Sequence, residues 1–99
     1  MAKLFISQPT KNKSHNEIVV ERARSAKKIS ADTHTEYEII ESYLINTPYG
    51  VSLLWVIGKS IQLLGGADLA YFCSGWEYDE RCRIEHECAI NYGIPCAYA

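Results

Sequence analysis

Short runs of β-forming apolar residues alternate along this chain with segments patterned as helices, and that alternation restricts the fold more than any other feature. The runs occupy residues 3–7 (KLFIS), 36–44 (EYEIIESYL), 67–73 (ADLAYFC) and 95–99 (PCAYA). Each is short and bordered by turn-forming residues, as strands are. The order β-α-β-α-β-α-β predicts the α/β class: a small Rossmann-like (flavodoxin-like) three-layer domain with a roughly four-stranded parallel sheet and right-handed crossovers.

The helical segments carry their own punctuation. Ser14 opens S-H-N-E, a capping-box pattern closed by Glu17. The helix that follows places Ile18, Val19, Ala23, Ala26 and Ile29 on one face. Arg22, Arg24, Lys27 and Lys28 fall largely on the other, which is expected to be solvated. Residues 46–50 (NTPYG) form a turn cluster in which Thr47 before Pro48 suits a helix start, and Gly65-Gly66 is a stop signal. Asp79 suits the N-cap of a last helix running to Tyr92, with Gly93 at its end.

The helix expected at residues 51–64 is apolar on nearly every side, with only Ser52, Lys59, Ser60 and Gln62 as a polar minority. Such a helix must be covered on more than one face. In a domain of 99 residues one face can pack on the sheet, and a second copy of the chain is the expected cover for the other. The alternative is that the 46–50 loop covers Trp55.

Hydrophobic residues make up 47% of the chain, enough for a core. A net charge of −2 gives no electrostatic reason to expect a nucleic-acid polymer or a bilayer as partner. The apolar run at 51–57 is too short to span a membrane. The start MAKLFISQP lacks the apolar core of an export signal, so a cytoplasmic location is expected. Cys73, Cys82, Cys88 and Cys96 contain no C-x-x-C pair, which argues for reduced, buried thiols rather than a metal site. Cys82 and His86 stand four apart on one predicted helix. A Cys–His nucleophile pair would use that spacing, but helix geometry ordinarily produces it alone.

In a parallel α/β sheet the carboxyl ends of the strands line the ligand crevice. They gather Ser7, Gln8 and Pro9, the stretch after Glu41, and residues 74–79. Glu85 lies a turn or more into the last helix, and helical side chains lean back toward the N-terminus, so its carboxylate can reach the crevice. Glu87 points about 200° around the helix, toward solvent.

The strand KLFISQP, the strand ADLAYF, the glycine-containing loop and the run EHECAINYGIP together resemble the nucleoside 2-deoxyribosyltransferase superfamily. The similarity is strongest to its small, often phage-borne branch with a G-W-x-x-x-x-x-C-R-I-E-H-E pattern. It covers nearly the whole chain and implies one domain over residues 1–99. It also implies cleavage or transfer at the N-glycosidic bond of a nucleoside or nucleotide, with no cofactor and no metal, in the host cytoplasm if phage-borne. In that mechanism Glu85 attacks the anomeric carbon and Asp79 handles the base or its proton. Asp68 matches an acidic residue at the start of the third strand, and Ser74 and Gly75 belong to the loop beside the ligand. Trp76 and Tyr78 could stack on a base, and Arg81 and Arg83 could meet phosphate. Arg83 could equally pair with Glu87.

Three departures from the family bear on turnover. Phe5 stands where active transferases commonly carry a tyrosine, Arg81 and Cys82 fill a stretch that usually holds a glycine, and the sequence ends at Ala99. Two further functions stay open: a non-catalytic protein that sequesters a nucleotide or nucleotide-derived signal, and an interaction module using the 51–64 helix.

Overall fold

The structure, a computed structural model, describes residues 1–43 and 50–99. Strands β1 (Ala2–Ser7), β2 (Tyr37–Ile39), β3 (Leu69–Phe72) and β4 (Cys96–Tyr98) form an all-parallel sheet in the order β2-β1-β3-β4. Helices α1 (His15–Thr33), α2 (Leu53–Leu64) and α3 (Glu80–Asn91) alternate with them. The protein is therefore an α/β, Rossmann-like three-layer domain, with the strand order that opens the flavodoxin-like arrangement.

Residues alternate across a strand, and β1 uses that period to feed two cores. Leu4 and Ile6 pack with Ile29, Tyr71 and Cys73 on the α1 side. Phe5 packs with Leu64, Ala70, Phe72 and Ala89 on the α2 and α3 side. The same parity carries Ser7 to the α2 and α3 side, where it meets Glu85. From β1 the chain crosses to β2 on one flank, and from β3 to β4 on the other. The carboxyl ends of β1 and β3 thus flank the topological switch point, where such sheets bind ligands.

The capping signals of α1 and α3 are realised. Ser14 accepts from the Glu17 backbone N–H at 3.1 Å while Glu17 accepts from the Ser14 N–H at 3.2 Å. Asp79 accepts from the Cys82 N–H at 2.9 Å.

Two boundaries differ from expectation. β2 is three residues long rather than the whole of 36–44, because it is an edge strand paired only with residues 2–4 of β1. The expected helix start at Thr47 and Pro48 falls among residues 44–49, outside the described residues. α2 is capped at Ser52, whose hydroxyl accepts from the Trp55 N–H at 3.1 Å.

The packed face of α2 is Ile57, Ser60 and Leu64, spaced at helical intervals. Its first turn is open instead, with Leu53 66% and Leu54 78% exposed. No helix among the described residues is long and apolar enough to cross a membrane.

Candidate functional site

Glu85 is fully buried where α3 passes the end of β1. A carboxylate without water must have its oxygens satisfied and its charge balanced. Ser7 at the end of β1 donates its hydroxyl to Oε1 at 2.6 Å. Ser60 of α2 donates to Oε2. Arg81, one helical turn before Glu85, donates from Nη1 to the same Oε2 at 2.7 Å. The second guanidinium nitrogen of Arg81 donates to the Gln8 carbonyl at 2.6 Å, so one side chain ties α3 to the loop after β1. Burial is the largest single influence on the Arg81 charge and works against it, but Glu85, Cys82 and Asp79 together outweigh it and hold the guanidinium above its usual range. A guanidinium stays charged in any case, so Glu85 always faces a cation.

Beside this cluster lies a cavity of about 110 Å³, lined by Ile6, Gln8, Thr10, Arg22, Ser42, Tyr43, Val56, Ser60 and Arg81. Glu85 does not line it. Arg81 and Ser60 stand between the carboxylate and the open space, which refines the expectation that Glu85 itself reaches the crevice.

Arg22 is a correction. It is not part of a solvated cationic face. It is half-buried and donates to the carbonyls of Ile6 at 3.5 Å and Ile40 at 3.2 Å, and to the Ser42 hydroxyl at 3.3 Å. Burial pulls its pKa down, partly opposed by Glu41. Position explains this, because Arg22 follows Ile18 by four and precedes Ser25 by three, and Ile18, Ser25 and Ile29 form the buried stripe of α1.

Of the residues expected at the site, Ser7, Gln8, Arg81 and Glu85 come together. Pro9 lies half-buried next to Gly75, whose φ of +86° turns the chain out of β3. Ser74 beside it is exposed. Trp76 does not line the cavity. Its ring packs on Phe72, His86 and Tyr98, with centroids 5.3, 4.3 and 5.8 Å away. Tyr78 is exposed. Arg83 is exposed and donates to the Glu77 carbonyl at 3.1 Å, rather than pairing with Glu87. Asp68 sits at the opposite, amino-terminal end of the strands, where it accepts from the Lys3 N–H at 2.7 Å, a structural tie. Asp79 is engaged as the α3 cap.

Ser42 and Tyr43 belong to the stretch after Glu41 expected at the crevice, whereas Arg22 and Ser60 were not expected at the site. The register of Arg22 with Ile18 was a usable signal for the first. A serine on an apolar helix carries none without knowing which carboxylate it faces.

Cys82 is not paired with His86. His86 is bonded through Nε2 to the Tyr98 hydroxyl at 2.7 Å. Cys82 is fully buried, and burial pushes its thiol up to about 12, against weaker opposing pulls from Ser7 and Arg81. A thiol that stays protonated is no nucleophile. The folded value lies above the unfolded one near 9.0, so this group's contribution to stability is complete below about pH 9 and is lost as pH rises toward 12. Urea midpoints are expected to fall across that alkaline range, less steeply in Cys82→Ala; identical slopes would refute the assignment.

Among the described residues no group of three or more His, Cys, Asp or Glu side chains is placed to hold a metal ion. No family model, no curated protein and no solved structure matches this chain.

Proposed function

We propose that the protein binds a phosphorylated nucleoside in the cavity beyond the carboxyl end of β1, with the phosphate drawn to Arg22 and Arg81. One observation carries this reading. Arg22 is a half-buried guanidinium on the cavity wall, and among the described residues it has no carboxylate within ion-pair distance. Removing a cation from water without a counter-charge is unfavourable, and an entering anion supplies one. The nucleoside part of the reading rests on the crevice position and on the family resemblance of the EHECAINYGIP run. At about 110 Å³ the cavity holds a phosphate or sugar end. A whole ligand of this class needs roughly 300 Å³ or more, so its base lies outside.

A second reading is cleavage or transfer at the N-glycosidic bond, favoured by the fixed carboxylate of Glu85 between two serine hydroxyls and a guanidinium. Glu85 has no exposed surface, so attack requires Arg81 to leave it, and a ligand phosphate is the group that would draw Arg81 away. A carboxylate oxygen then bonds to the anomeric carbon. The carbon–nitrogen bonding pair departs with the base, which takes up a proton, and water or another base resolves the glycosyl-enzyme.

Melting-temperature shifts with nucleosides and their monophosphates test both readings, since a ligand bound only to the native state stabilises it. Monophosphates are expected to stabilise more than nucleosides, and Arg22→Gln to weaken them at least about tenfold. No shift with any of them would remove the binding reading. Ligand recovered intact selects binding alone; free base released by the native protein and not by Glu85→Gln selects turnover. A second copy of the chain is the partner proposed for the open first turn of α2, and a strict monomer by light scattering would remove it.

A further inference from the structure

Gln8 is the residue after β1 and is almost fully buried, 2% exposed, yet among the described residues its side-chain oxygen Oε1 has no hydrogen-bond partner. Its amide is not free to turn. Nε2 donates to the Ile18 carbonyl at 2.9 Å and to Glu21 Oε1 at 2.8 Å. Lys13 holds that same Glu21 oxygen at 3.0 Å. Turning the amide over would set Oε1 against two acceptors, so the lock decides which atom is left over. The leftover atom is an acceptor on a residue that lines the same cavity as Arg22 and Arg81.

Buried acceptors without partners are rare in folded proteins and mark a missing group. Two guanidinium groups ask the occupant for negative oxygens, whereas Gln8 asks it for an N–H or O–H. We infer that Gln8 is a specificity-determining residue: the occupant of this cavity must present a hydrogen-bond donor beside its anionic oxygens. Glu21 is the positioning residue that keeps Oε1 available. This rests on the anion-binding reading above and adds to it a requirement that charge alone does not impose. The donor can be a proton on the phosphate itself or a hydroxyl of the attached sugar.

Titration calorimetry on the whole chain at about pH 8 separates these, because a phosphate monoester, with a second pKa near 6, has then lost its proton. Inorganic phosphate and sulfate match in size and charge there, but only phosphate keeps an O–H. Methyl phosphate and ribose 5-phosphate both carry an unprotonated monoester, but only the sugar brings hydroxyls. Phosphate over sulfate by about tenfold or more assigns the donor to the phosphate; ribose 5-phosphate over methyl phosphate by a similar factor assigns it to the sugar. Gln8→Met, which keeps the length and loses the acceptor together with the Nε2 donor, is expected to erase whichever preference is found. Glu21→Gln, which unlocks the amide, is expected to reduce it.

Equal binding within both pairs overturns the inference, as does a preference that survives Gln8→Met. The wild-type comparison decides alone if that variant does not fold. Failure of all four anions to bind overturns the anion-binding reading itself, a different result from binding without discrimination.

Discussion

Glu85→Ala is expected to remove about 3–5 kcal/mol of folding stability, because it leaves the Arg81 guanidinium half-enclosed without its counter-charge. A domain of this size is stable by about 5–15 kcal/mol in total, so the loss is a large fraction of the whole. The Ser7 and Ser60 hydroxyls lose their acceptor in the same step. Urea denaturation measures the loss directly. Desolvating a buried ion pair costs nearly as much as the pair returns. The double variant Glu85→Leu with Arg81→Met should therefore recover much of what the single change removes. A single-variant loss below about 1 kcal/mol would mean that the carboxylate is not held in a buried pair. The double variant separates stability from function, since it can fold and still bind anions more weakly, with Arg22 as the remaining cation of the cavity.

Phe72→Ala is the second large effect. Phe72 has no exposed surface, and its ring sits 4.9 Å from His86, 5.3 Å from Trp76 and 5.8 Å from Tyr98. Emptying that position costs about 3–5 kcal/mol through lost transfer energy and the cavity left behind. It also removes the surface on which Trp76 rests. In a Trp55→Phe background the emission of Trp76 is expected to shift toward that of a solvated indole before the protein unfolds. Unchanged emission together with a loss below about 1 kcal/mol would show that the aromatic cluster is not a packed unit.

Much of this architecture was legible in the residues. The unbroken apolar run of Leu4, Phe5 and Ile6 in KLFIS announces a strand buried on both faces, the Ser14–Glu17 box opens α1, and Asp79 caps α3. What was not legible required knowing neighbours. The run 36–44 has uniform β propensity, but how much of it pairs depends on its edge position beside β1. Arg22 shares its helix with three other cations, and only its register with Ile18 and Ile29 separates it from Arg24, Lys27 and Lys28. Ser60 looks like a polar gap in an apolar helix until Glu85 is placed opposite. Trp76 and Arg83 follow Gly75 in sequence, yet the 3₁₀ turn Trp76–Tyr78 carries the tryptophan ring onto β4 and away from the cavity.

The two serine partners of Glu85 come from distant parts of the chain: Ser7 is 78 positions away and Ser60 is 25. The carboxylate cluster is thus a high-contact-order assembly, which the chain can close only after β1, α2 and α3 have come together. No early, locally formed fragment can hold it. Binding competence should then appear in one kinetic phase with the last tertiary packing, and a refolding chain should have no ligand-ready intermediate.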